Sequence, residues 1–144
     1  MQHLAILDKK RKSLAKIIAG EKTIESRWYK SKVTPWDKIK KGETVYFKES
    51  GEPVSVKAVV SEIFQFYLPT TNITQLLKKY GREICFDKKD VSKLVKWCSE
   101  RRYCILIRLA EVQQIESFDI DKTGFGMMVA WITVENINSI KRQN

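Results

Sequence analysis

Lys22, Glu25 and Arg27 fall within the nine residues Gly20-Glu21-Lys22-Thr23-Ile24-Glu25-Ser26-Arg27-Trp28, and together they offer an ammonium, a carboxylate and a guanidinium. Arg27 can grip a phosphate or a base edge through two N–H groups at once. Glu25 can accept from an exocyclic amine or act as a general base. Lys22 can hold a phosphate, or polarise a carbonyl and stabilise a developing oxyanion. The same three charges also suit a partly buried ion pair that pins a helix to a strand. On the residues alone both readings stay open.

A helix-to-strand corner positions the trio. Leu14, Ile17 and Ile18 fall at helical spacing, with Ala15 and Ala19 as good helix formers. Gly20 supplies the left-handed residue that ends such a helix. Thr23 to Trp28 then reads as a short strand, which puts Glu25 and Arg27 on one face and Ile24 and Ser26 on the other. Lys22 sits at the corner, where strand parity does not fix its direction.

Charge favours a polyanionic partner. The 144 residues carry a net charge of +10, and Lys9 to Lys48 holds thirteen Lys and Arg against four acids. Nearly all of the excess therefore lies around the trio, as expected of a surface for phosphates. A solvated basic face with no partner is the alternative, and a basic face meeting an acidic protein is a third. Lys9-Lys10-Arg11-Lys12, the densest basic run, reads either as a solvated turn or as a rim that contacts phosphates. Trp36, in a lysine-rich loop after Pro35, is a base-stacking candidate. Trp28 and Tyr29 suit stacking or packing, and Trp97 and Trp131 read as core.

Other chemistries find little footing. Cys85, Cys98 and Cys104 form no close pair and the one histidine is His3, so no metal site is expected and the thiols read as reduced. No P-loop, nucleophile elbow or dinucleotide fingerprint is present, and Gly124 and Gly126 read as a turn. No cofactor is expected. No apolar run nears the roughly 20 residues of a membrane helix, and the start of the chain lacks the pattern of a secretory leader. Cytoplasmic location is the resulting expectation.

The remaining periodicities predict strands over His3 to Leu7, Thr44 to Lys48, Val54 to Phe66, Tyr103 to Leu109, Val112 to Ile120 and Val129 to Val134. A phase change near Ser61 suggests a bulge. Helices are predicted over Thr70 to Ile84, capped by Thr70, Thr71 or Asn72 and interrupted or ended at Gly81, and over Val91 to Ser99. Glu135 to Asn144 reads as a ragged polar tail. The order fits one α+β domain over residues 1–144, built on a small curled sheet or barrel with flanking helices.

The run from Gly20 to Arg27 resembles the G-x-K-x-x-E-x-R signature of the ASCH domain family. Lys41-Gly42-Glu43-Thr44-Val45 is similar to the segment that leads that family into its next strand. The resemblance implies a PUA-like β-barrel with a cleft at the motif that binds RNA, nucleotides or nucleosides. It carries over Lys22, Glu25 and Arg27, and Lys10 as a basic residue facing the cleft. Ser13 stands where an aromatic is expected. Some relatives are amidohydrolases that deacetylate 4-acetylcytidine, and others have been proposed as ribonucleases. In the amidohydrolases a threonine nucleophile stands at the position of Glu25, so this chain departs from the covalent route. A glutamate-activated water remains open, with Lys22, Glu25 and Glu83 as the catalytic candidates if the chain is an enzyme.

Overall fold

The computed structural model describes residues 1–86 and 90–143. Its strands are β1 (Gln2–Leu7), β2 (Ile24–Tyr29), β3 (Thr44–Glu49), β4 (Val54–Tyr67), β5 (Tyr103–Phe118) and β6 (Trp131–Val134). Helix α1 (Ser13–Ile18) joins β1 to β2, and α2 (Ile73–Ile84) and α3 (Val91–Ser99) lie between β4 and β5. The strands form one sheet in the order β2-β5-β4-β3-β1-β6, antiparallel except where β1 runs parallel to β3. It curls into a half-barrel, with β2 and β6 as its edges.

Bending is concentrated in the long β4–β5 pair. Its register shifts between Val54 and Val56, between Lys57 and Val59, and between Val60 and Glu62, where the phase change near Ser61 was expected. Glu111 takes a left-handed φ of 50°. Extra residues of this kind tighten the twist and let a sheet curl. They also correct one expectation: Tyr103 to Leu109 and Val112 to Ile120 are not two strands. The chain absorbs the irregularity at Glu111 and stays paired as the single β5.

Curling divides the apolar side chains into three groups. Ala5, Phe47, Val56, Ile105 and Ile107 fill the concave interior with Trp131. Ile24, Phe64 and Leu106 face outward and pack under Leu76, Tyr80 and Ile84 of α2. At the far end, Leu4, Val54 and Ile132 pack against Ile137 and Ile140. Those two isoleucines sit on a short 3-10 helix (Ile137–Ile140), so the segment read as a polar tail closes part of the core. Asn144 lies outside the described residues.

Gly81 does not interrupt α2. It is buried inside the helix, which runs on to Ile84 and stops where Cys85 turns left-handed at φ 63°. Packing on the outer sheet face outweighs the roughly 1 kcal/mol glycine penalty. Asn72 is the cap, its side chain accepting from the Gln75 N–H.

The parallel β1–β3 pair is pinned by His3, which is fully buried. Its Nε2 lies 2.8 Å from Glu43 Oε1, and its Nδ1 lies 2.9 Å from Thr133 Oγ1. The Trp131 indole also donates to Nδ1 at 3.2 Å. An indole N–H can only donate, so Nδ1 is the bare nitrogen and the ring is neutral, with its proton on Nε2 facing Glu43. Burial pushes the His3 pKa below its usual value, against the pull of Glu43. The unfolded chain then binds a proton that the folded chain refuses, so stability falls as pH drops below about 6.5 toward the lowered folded value. Since His3 is the one histidine, denaturant titrations from pH 7.5 to 5.5 should show this loss. A His3→Asn variant should flatten the slope in that window.

Candidate functional site

Because β2 is an edge strand, one side of it has no neighbour in the sheet. Along that free edge runs a cleft of about 1110 Å³. One wall comes from the end of β1, the basic turn after it and α1. The opposite wall comes from the end of α2, the residue after it and α3. Residues of both β2 faces reach the cleft because it wraps around the strand edge.

The structure brings Lys22, Glu25 and Arg27 together there. Lys22 is 7% exposed, and its ammonium donates to the Ile84 carbonyl at 2.7 Å. That carbonyl ends α2, where the helix dipole favours a cation. Arg27 reaches across the open side of the half-barrel. It donates to the Ala130 carbonyl at 3.2 Å and, at the long limit of 3.5 Å, to the Ile6 carbonyl. Its guanidinium also lies 5.1 Å from the centre of the Trp131 ring. Glu25 Oε1 stands 3.6 Å from Arg27 Nε, close enough for attraction but too far for a hydrogen bond. Glu25 Oε2 and Arg27 Nε are both buried and find no hydrogen-bond partner in the protein. Tyr29 flanks the pair. Burial pushes its phenol pKa up, against the opposing charge of Arg27.

The two walls differ in chemistry. Lys10, Arg11, Lys12 and Lys16 stand on one, and with Lys22 and Arg27 they make six cations against Asp8 and Glu25. Asp8 is engaged locally, its carboxylate accepting from the Lys10 N–H. The other wall is aromatic: Trp28, Phe86 and Trp97. Trp28 stands 5.6 Å from Phe86 and 6.1 Å from Trp97, ring centre to ring centre, and its indole donates to Ser26 Oγ at 2.9 Å. Ser13 lines the cleft without an aromatic ring, and these three residues supply what is missing there.

Sequence reasoning missed Phe86 and read Trp97 as core. In the structure Trp97 is half-buried, with the Arg101 guanidinium 3.7 Å from its ring centre. The usable signal was a large aromatic off the apolar stripe of α3 with an arginine four residues on.

Two expected site residues lie elsewhere. Trp36 packs edge-on against Tyr103 at 4.9 Å and is not part of the cleft lining. Glu83 also points away from the cleft. Both of its oxygens take N–H groups of Arg108 at 3.1 Å, and Oε2 also accepts from the Thr23 hydroxyl at 3.0 Å. The paired Arg108 guanidinium holds the Glu83 carboxyl below its usual pKa.

No family model and no curated relative matches the chain. Solved structures do. The ASCH protein from Zymomonas mobilis superposes over 99% of this chain and 96% of its own, with a TM-score of 0.67 at 15% identity. A mutant of that protein gives the same TM-score at 16% identity. The hypothetical protein PH0355 covers 80% of this chain at a TM-score of 0.51 and 21% identity. The chain therefore has the PUA-like α+β fold of the ASCH proteins. No described helix is long and apolar enough to cross a membrane.

Lys22 has a structural task beside any contact with a ligand. Lys22→Ala leaves the buried Ile84 carbonyl without its donor and should destabilise the fold by about 1–3 kcal/mol in denaturant melts. Glu83→Gln, far from the cleft wall and half-exposed, should cost no more than about 1 kcal/mol.

Proposed function

We propose that the chain is an ASCH-type module whose cleft binds RNA, or a nucleotide or nucleoside, at Lys22, Glu25 and Arg27. The observation that carries this reading is the pair of buried, unpartnered atoms, Glu25 Oε2 and Arg27 Nε. Each such atom costs a fold about 1–3 kcal/mol. An acceptor and a donor side by side match the edge of a nucleobase. The basic wall suits the phosphate, with Lys10 at its rim. The aromatic wall suits the face of the base. Three free cysteines, two of them buried, fit a reducing compartment such as the cytoplasm.

Arg27→Ala should weaken binding of a nucleoside monophosphate by at least about tenfold, as expected for loss of a charge-assisted hydrogen bond. Isothermal titration should also show affinity for short RNA falling with salt, by roughly 0.7 in log–log slope per phosphate contacted. Binding that ignores both Arg27 and salt would overturn the reading.

A hydrolase reading draws on the same free carboxylate oxygen. Glu25 Oε2, aimed into a cleft, is placed to activate a water against an acetylated cytidine or an RNA phosphodiester. Lys22 would stand beside the reacting group. Glu83 has no part in it, since both of its oxygens are held by Arg108. If this version holds, 4-acetylcytidine or RNA should be turned over and Glu25→Gln should abolish it. Binding without turnover would leave the module as a binder alone.

A further inference from the structure

The cleft has an outlet. Tyr29, on its lining, pairs in register with Tyr103 of β5, and Tyr103 pairs in register with Tyr67 of β4. Register partners project to the same sheet face, so three tyrosines make a row across one end of the sheet. The Tyr103 and Tyr67 rings stand 5.7 Å apart. Tyr29 and Tyr103 are half-buried, while Tyr67 is 39% exposed.

Cations flank this row. The Lys32 ammonium lies 5.8 Å from the Tyr103 ring centre. The Arg102 guanidinium lies 5.7 Å from the Tyr67 ring centre and donates to its hydroxyl at 2.7 Å. Between positions 30 and 41 stand five exposed lysines and one acid, Asp37. The Asp37 carboxylate is occupied by the Gln65 amide at 2.8 Å. Trp36, which has no place in the cleft, packs on Tyr103 and holds this lysine loop against the row.

We infer that the row is a track for single-stranded RNA leaving the cleft, so that the ligand is an oligonucleotide rather than a single nucleoside. The inference rests on the cleft reading above. Aromatic faces interleaved with lysine and arginine are what sequence-tolerant single-strand surfaces use. Two strand spacings from β2 to β4 span about 10 Å, the rise of roughly three stacked bases at 3.4 Å each.

The test compares adenosine 5′-monophosphate with oligoadenylates of two, four and six nucleotides. The wild-type chain should bind the hexamer roughly tenfold or more tighter than the monophosphate, with a steeper salt dependence. A variant combining Lys32→Ala, Tyr67→Ala and Arg102→Ala alters exposed side chains only. It should erase most of that ratio and remove about 1 unit of salt slope per cation lost. Arg27→Ala should weaken monophosphate and hexamer alike. Oligomers that bind no tighter than the monophosphate would overturn the track while leaving the cleft reading intact. A ratio unchanged in the triple variant would do the same. If neither the monophosphate nor any oligomer binds, the cleft reading falls and the track with it.

Discussion

Arg27 spans a seam that the backbone does not close, and the site depends on that crossing. The half-barrel leaves β2 as a free edge facing the β1–β6 side. Across the gap the guanidinium meets two backbone carbonyls and the face of Trp131. A planar, weakly hydrated cation with a fixed fork of donors can do both. An ammonium is a compact, strongly hydrated point charge and could not satisfy two carbonyls while lying flat on an indole. Because the seam is bridged by a side chain instead of a strand ladder, a cleft lined by charged groups persists where a closed barrel would have none.

The crossing also explains why Glu25 is under-bonded. Two arms of the Arg27 fork are directed at carbonyls, which leaves Nε facing the carboxylate at 3.6 Å. A buried ion pair offsets its desolvation only with good geometry and with its remaining lone pairs satisfied. This pair meets neither condition. The two sequence readings, ion pair and ligand site, thus describe one object. Arg27 and Glu25 attract each other, yet the attraction leaves a matched donor and acceptor aimed into the cleft. Lys22 differs, because the last turn of α2 engages its ammonium.

Much of this was legible in the chain. Gly20 does end its helix with a left-handed φ of 79°, and strand alternation put Glu25 and Arg27 together. The bulge near Ser61 also followed from periodicity. What stayed hidden depended on distant partners. Nothing local distinguishes Glu111 in a bulge from a strand end, since β4 is what keeps β5 continuous. The polar appearance of residues 135–143 concealed Ile137 and Ile140, whose burial comes from a cluster that includes Leu4, over a hundred residues away. Trp36 and Glu83 looked like site residues because of their neighbours in sequence. Their neighbours in space, Tyr103 and Arg108, assign them to packing and to a surface ion pair.

The two halves of the cleft are also anchored unequally. Its polar floor is tied to the interior: Trp131 lies beneath Arg27, donates to His3, and His3 donates to Glu43. That chain of contacts runs through buried groups, so the charged floor is fixed before a ligand arrives and little ordering is needed to engage it. The aromatic wall hangs partly on α3, a nine-residue helix with Cys98 as its one fully buried side chain. Local stability follows the number of buried apolar contacts, so α3 should open more readily than the barrel. A rigid set of charges paired with a more loosely held set of rings suits a ligand whose phosphate is constant and whose base varies.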